Sequence, residues 1–269
     1  MKLVMLETTP AGPLPGYREF AGHSALDVRF VTYREPHPDA VAFRRGENWI
    51  SNRNFLAATV PRRYDYYWFT EYDVKYTSRT DAGVVDQIIA DLEAYHPAVM
   101  VCYDITKHDY ERIEGEPRTF LMSNNQVKII HHSLLDWFFP QCFQIEGQWE
   151  NCHLHNVLEY PFRHHVMMTS NVHARGMIRE AAASPDTAAL GFANMQRMHD
   201  WIRPSFTALM PQGETHQEYK AACLAANKAT ALRRSPADVV YGDDVADYFD
   251  LTHKQFKHWT INNKHGEQK

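Results

Sequence analysis

The feature that most constrains the fold of this chain is an aromatic run at positions 66–70, with the sequence YYWFT. A continuous apolar run of this length is typical of a strand that is buried on both faces of a parallel sheet. Ligands of such sheets bind beyond the carboxyl ends of the strands. Two acids, Glu71 and Asp73, follow the run directly. The run therefore predicts both the class of sheet and the place of a binding site.

Strand and helix patterns alternate through the first 175 residues. Strand patterns occur at residues 3–6, 26–33, 66–70, 97–103, 127–130 and 166–169. Helical patterns lie between them at residues 51–60, with Ser51 as the expected N-cap, and at 81–95 and 133–139. This alternation predicts an α/β fold with a Rossmann-type, mostly parallel sheet and flanking helices. Beyond about residue 179 the sequence becomes helical and Ala-rich, which predicts a sheet domain at 1–178 and a helical C-terminal extension at 179–269.

Composition excludes several classes of protein. A formal net charge of −5 argues against nucleic acid as the main partner, because binding to phosphates needs a basic face. The four cysteines show no CxxC spacing, which argues against a zinc ribbon and favours reduced thiols. No stretch approaches the roughly 20 apolar residues of a membrane span, and the amino-terminal apolar run is too short for a signal peptide. We therefore expect a cytoplasmic protein without a transmembrane segment.

The two acids after the aromatic run have a chemical interpretation. A spacing of two residues places the side chains of Glu71 and Asp73 on the same side of an extended chain. Neighbouring carboxylates need a compensating positive charge, and Mg²⁺ or Mn²⁺ would supply it while holding substrate phosphates. A turn with two solvated acids is the alternative. The strand-end rule also selects Thr8, Arg34 and Asp104 as candidate ligand contacts.

Up to about residue 173 the chain resembles a bacterial glycosyltransferase of the GT-A fold, a family with a DxD-type motif. Four segments carry the resemblance, at residues 1–9, 28–34, 46–54 and 68–73. The resemblance implies a nucleotide-diphosphate sugar as donor and Mn²⁺ or Mg²⁺ as the metal. It makes Asp73 and Glu71 the metal ligands, with Glu71 also near the donor and standing where the family usually has Asp. Asn52 and Arg53 become donor contacts, although a helix cap and a surface charge are equally open interpretations.

Two further motifs acquire roles from the same resemblance. The segment 146–151, with the sequence EGQWEN, is similar to the family segment that supplies the general base of inverting members. Glu150 is then the group that takes the acceptor proton, and Glu146 is the alternative. An acid that stabilises a helix N-terminus is the interpretation without catalysis. His173, after the last expected strand, becomes a third metal ligand, whereas a lone histidine is more often a surface group.

Together these patterns predict a metal-dependent glycosyltransferase that moves a sugar from a nucleotide-diphosphate sugar to a hydroxyl acceptor. The resemblance suggests a glycan or lipid-linked acceptor, a role in cell-surface glycan or polysaccharide synthesis, and a cytoplasmic location that extends to the periphery of the inner membrane. Three roles are open for the helical extension: it covers the acceptor site, it mediates homodimer formation, or it docks the enzyme on a membrane-bound assembly. A nucleotidyltransferase and a non-catalytic sugar-binding module on the same fold are the alternatives.

Overall fold

The computed structural model describes residues 1–13, 20, 22–47, 49–103, 118–119, 127–139, 158–176 and 216–241. The strands are β1 Leu3–Thr9, β2 Leu26–Thr32, β3 Ala42–Phe43, β4 Tyr66–Glu71, β5 Val74–Ser78, β6 Val99–Tyr103, β7 Arg118–Thr119, β8 Lys128–His131 and β9 Val166–Gly176. The helices are α1 Trp49–Thr59, α2 Val84–Tyr95, α3 Leu135–Phe138 and α4 His216–Ala229, with 3-10 helices at His132–Leu134 and Tyr160–His165.

Within these residues nine strands form one mixed sheet, in the order β3-β2-β1-β4-β8-β6-β9-β5, with β7 beside β9. Strand β1 is parallel to β2 and β4, β2 is parallel to β3, and β6 is parallel to β9. Strand β8 runs antiparallel between β4 and β6. Most strands therefore point the same way, whereas β5, β7 and β8 are reversed. The predicted α/β class and mostly parallel, Rossmann-like sheet are confirmed.

The sheet is covered on both faces, as the aromatic run predicted. Every residue of β1 is buried, and so are the first five residues of β4. Val4, Leu6, Tyr67 and Phe69 point to one face, where they share a core with residues of α1. The alternate residues of the same strands share the other core with α2. Burial on both faces explains why these strands carry almost no alternation of polar residues.

Several predicted bounds are wrong. Strand β1 does not end at residue 6 but continues to Thr9. Strand β9 does not end at Thr169 but continues to Gly176, because its first part pairs with β6 and its last part pairs with β5. Its register shifts between Cys102 and Tyr103 of β6. Ser51 is not an N-cap, because α1 begins at Trp49. The Ser51 hydroxyl donates instead to Glu47 Oε2.

Strand β5, which no sequence pattern indicated, packs back onto β4. The Trp68 indole N–H donates to the Tyr76 hydroxyl over 3.1 Å, and the two ring centroids are 4.9 Å apart. The Thr70 and Tyr76 hydroxyls are 2.6 Å apart. The sheet therefore curls, and β5 closes one face of the sheet at the carboxyl end of β4.

The described part of the predicted C-terminal extension is α4 followed by non-helical residues 230–241. Leu232, Val239 and Tyr241 pack against the two cores of the sheet. The division at residue 178 stays a prediction. None of the helices in the described ranges has the length and apolar character that crossing a membrane requires.

Candidate functional site

The carboxyl ends of β1 and β4 bring two predicted residues side by side. Thr8 and Glu71 are partners in the parallel register of these strands. The Tyr72 N–H donates to the Thr8 carbonyl over 3.3 Å, which holds the residue after β4 against β1. Thr8 is buried and the Glu71 side chain is 16% exposed. This edge is where ligands of parallel sheets bind.

Glu71 has a cationic neighbour from α1. The Arg53 Nη2 atom lies 3.6 Å from Glu71 Oε1, and the Arg53 side chain is only 1% exposed. The guanidinium also lies over the Phe69 ring, 6.0 Å from its centroid. Arg53 therefore compensates the charge of the first acid, a role that the sequence analysis assigned to a metal ion. Its predicted contact with a phosphate stays a prediction.

Asn52 belongs to a polar cluster between α1 and the loop after β3. Its Oδ1 accepts from Arg44 Nε at 3.0 Å, and its Nδ2 donates to the Glu47 carbonyl over 3.4 Å. Arg34 lies elsewhere, in the loop after β2. Its side chain is exposed and its guanidinium is 5.9 Å from the centroid of the Tyr33 ring. Asn52 is thus held beside Arg53, whereas Arg34 lies on the surface after β2.

The three predicted metal ligands are not grouped. Asp73 follows β4 in a turn and is 6% exposed. His173 pairs with Thr77, three residues beyond Val74, which is about 10 Å along an extended strand. No three His, Cys, Asp or Glu side chains in the described ranges are close enough to hold a metal. Burial and the charge of Arg79 lower the pKa of His173, which keeps its imidazole neutral.

Two carboxylates can nevertheless fit a hard cation. Mg²⁺ commonly binds proteins through one or two carboxylates and completes its shell with water and substrate phosphates. Glu71 and Asp73 supply two carboxylates at the end of β4. The turn at residues 72–73 replaces the extended backbone that was expected to place both side chains on the same side. Participation of His173 would need the end of β9 to come closer to this turn. The metal-binding roles of all three residues stay predictions.

The two candidates for the general base, Glu150 and Glu146, lie outside the described residues, as does Asp104. Their predicted roles are therefore neither supported nor contradicted by the geometry.

Sequence reasoning missed a buried acid inside β1. Glu7 is fully buried, and neither carboxyl oxygen has a hydrogen-bond partner among the described residues. Burial raises the pKa of this carboxyl from 4.5 to about 8. Glu7 is the register partner of Thr70 and Phe30, close to the carboxyl edge. Its place before Thr8 and Thr9 resembled the exposed end of a strand, but the strand extends past it.

A buried ion pair was also missed. Lys128 of β8 and Glu159 are both 0% exposed, and the ammonium group donates to the Glu159 carboxylate. Lys128 is the antiparallel partner of Phe69, two residues before Glu71. The two residues are 31 positions apart, and neither lies in a motif, so the sequence carried no signal for the pair.

Comparison with known proteins gives only distant likenesses. No family model and no curated protein sequence matches the chain. Among solved structures, A197 from STIV has a TM-score of 0.44 at 15% identity, with 70% of this chain and 92% of that chain covered. GalNAc-T7, crystallised with UDP, GalNAc and Mn²⁺, has a TM-score of 0.44 at 10% identity, with 86% of this chain and 55% of that chain covered. The glycosyltransferase GlyE of Streptococcus pneumoniae has a TM-score of 0.33 at 12% identity, with 88% of this chain and 66% of that chain covered. Likenesses of this size assign the chain to no family.

Proposed function

We propose that this chain is a glycosyltransferase that binds a nucleotide-diphosphate sugar at the carboxyl edge of β1 and β4. The observation that carries the proposal is the pairing of Thr8 with Glu71 at this edge, with Asp73 immediately beyond. A mixed sheet with parallel central strands binds ligands at such an edge. The resemblance of the sequence to GT-A enzymes supplies the class of ligand.

The residues at the edge have distinct roles in this proposal. Asp73 and Glu71 would hold Mn²⁺ or Mg²⁺, which would neutralise the negative charge of the donor diphosphate. Arg53 is already beside Glu71 and adds positive charge at the same place. Thr8 and Asn52 contact the donor from the strand end and from α1. The exposed Arg34 reaches it from the loop after β2.

The transfer step needs a base on the acceptor side. Glu150 accepts the proton of the acceptor hydroxyl as the hydroxyl oxygen attacks the anomeric carbon, and the nucleoside diphosphate leaves with the bonding electrons. Glu146 is the alternative base. His173 would be the third metal ligand once the end of β9 came closer to the turn after β4, and its neutral imidazole suits that role. The acceptor is a glycan or a lipid-linked sugar, and the enzyme acts in the cytoplasm, at the inner membrane, as a homodimer.

Donor hydrolysis tests this function without knowledge of the acceptor. The purified chain is incubated with UDP-, GDP-, ADP- and CDP-sugars, with Mn²⁺ or with EDTA, and released nucleoside diphosphate is measured. We expect release from one donor class, lower by about 10²–10⁴-fold in Glu150→Gln. The same loss in Glu146→Gln alone would move the base to Glu146. Release of pyrophosphate from nucleoside triphosphates would favour a nucleotidyltransferase, and binding without any release would favour a sugar-binding module.

A further inference from the structure

Residues 230–241, called the strap below, cross the amino ends of the parallel strands, opposite to the candidate site. The Arg233 N–H donates to the His164 carbonyl over 2.7 Å, and the Ser235 N–H donates to the Tyr95 carbonyl over 2.9 Å. Tyr241 is 4% exposed and belongs to a hydrophobic core of the sheet. The strap is therefore attached by polar contacts along its length and by one buried aromatic ring at its end.

The end of the strap is held through a histidine that must be neutral. The Tyr241 N–H donates to Ser133 Oγ over 3.2 Å, and Ser133 Oγ lies 2.8 Å from His131 Nδ1. The Ser133 backbone N–H also points to Nδ1 over 3.3 Å. A backbone N–H can only donate, so His131 Nδ1 carries no proton. Protonation of Nδ1 would place its N–H against the Ser133 N–H. It would break the chain of hydrogen bonds from Tyr241 through Ser133 to His131, which is called the relay below.

A second histidine contacts the strap in a similar place. His165 Nδ1 is 2.9 Å from Ser235 Oγ, and the Tyr241 hydroxyl contacts the same oxygen and the His96 carbonyl. The Tyr241 ring also lies 5.2 Å from the His131 ring and 5.5 Å from the His165 ring. One tyrosine therefore links the strap to both histidines.

The surroundings of His131 oppose a positive charge. Its ring packs 5.1 Å from Tyr66 and 4.3 Å from His132. Burial is the largest cause that lowers the pKa of His131 to about 3; the charges of His132 and His96 act in the same direction, and Asp65 acts in the opposite direction. A histidine released to solvent titrates near 6.5.

The strap carries exposed charges of both signs. Arg233 and Arg234 are positive, whereas Asp238 is negative. The charges that act on the pKa of His131 belong instead to His132, His96 and Asp65.

We propose that the strap is a proton-operated latch, closed while His131 is neutral and released when His131 is protonated. The open state takes up protons that the closed state rejects, so acid shifts the equilibrium toward opening. Below pH 6.5 each proton taken up changes the opening equilibrium by about tenfold per pH unit. The latch is independent of the catalytic role proposed for the opposite edge of the sheet.

Hydrogen exchange of the peptide that covers residues 230–241 tests the latch. Exchange is followed between pH 7.5 and 5 and corrected for the intrinsic rate. In the wild-type chain we expect protection of the strap to fall by up to about tenfold per pH unit below 6.5, while β1 stays protected. Strap protection that is constant over this range would overturn the proposal.

Variants separate protonation from packing. His131→Gln keeps an acceptor oxygen but cannot take up a proton, so its strap should lose most of the acid response; a response equal to that of the wild type contradicts the latch. His164→Gln is the matched control, because His164 Nδ1 faces the Ala231 carbonyl at 3.2 Å and donates there in either charge state. Ser133→Ala tests the relay should His131→Gln not fold. It should lower strap protection at pH 7.5 by roughly fivefold, the worth of one hydrogen bond, and unchanged protection contradicts the relay.

Discussion

Replacement of Glu7 by glutamine tests how strongly burial perturbs this carboxyl. The folded chain holds the Glu7 proton up to about pH 8, whereas the unfolded chain releases it near 4.5. Between these values the folded state binds more protons, so wild-type stability must fall as pH rises, by about 1.4 kcal/mol per pH unit. The total loss of wild-type stability between pH 4.5 and 8 is therefore about 5 kcal/mol, and above about pH 8 this loss is complete. Glutamine has nearly the same shape and no proton to lose, so Glu7→Gln should escape this loss.

The assay is urea unfolding of both proteins at half-unit steps from pH 4.5 to 9. The difference in unfolding free energy, variant minus wild type, should rise with pH and level off above about pH 8. Glu35→Gln is the matched control, because Glu35 is an exposed glutamate in the loop after β2. A difference that stays constant across this range would refute the reasoning and show that Glu7 ionises without penalty in the folded chain.

Two further changes test the packing around the site by urea unfolding at pH 7. Lys128→Met leaves the Glu159 carboxylate buried without the Lys128 ammonium and should lower the unfolding free energy by about 3–5 kcal/mol. Adding Glu159→Leu should recover most of that loss. A double variant as unstable as the single one would contradict the ion-pair argument. Tyr76→Phe removes the hydroxyl that accepts from the Trp68 indole and should cost about 1–3 kcal/mol. Tyr95→Phe, at the half-buried last residue of α2, should change stability by less than about 0.5 kcal/mol. Equal losses in the two tyrosine variants would show that the curl of β5 does not depend on this contact.

The buried centre of the sheet could be predicted because one physical requirement determines it. The run at residues 66–70 is so apolar that only burial on both faces accommodates it, and the acids after it mark the strand end. The extension of β9 and the existence of β5 could not be predicted in this way. Asn171 and Thr77 are polar residues, and they are extended only because β5 and β9 pair with each other across a large separation in sequence.

The candidate site was predicted only where position along a strand determines it. Thr8 and Glu71 lie together because both stand at carboxyl ends of neighbouring parallel strands. The ion pair between Glu71 and Arg53 could not be predicted, since a sequence cannot show that Arg53 points from α1 toward the same edge. The metal-binding role of Glu71 stays a prediction. Glu7 was missed because an acid normally marks a solvent-exposed position. Here the buried strand continues beyond Glu7 to Thr9.

The most direct test of the account is the binding of nucleoside diphosphates to the carboxyl edge, measured by thermal shift with and without Mn²⁺. A ligand at about 100 times its Kd stabilises the folded state by about 2.7 kcal/mol, which corresponds to a rise in Tm of roughly 5–10 °C for a chain of this size. We predict such a rise for one nucleoside diphosphate with Mn²⁺. It should be absent in Asp73→Asn and retained in Asp81→Asn, a matched change at an exposed acid. No shift with any nucleotide, or an equal shift in Asp73→Asn and the wild-type chain, would contradict the proposed site.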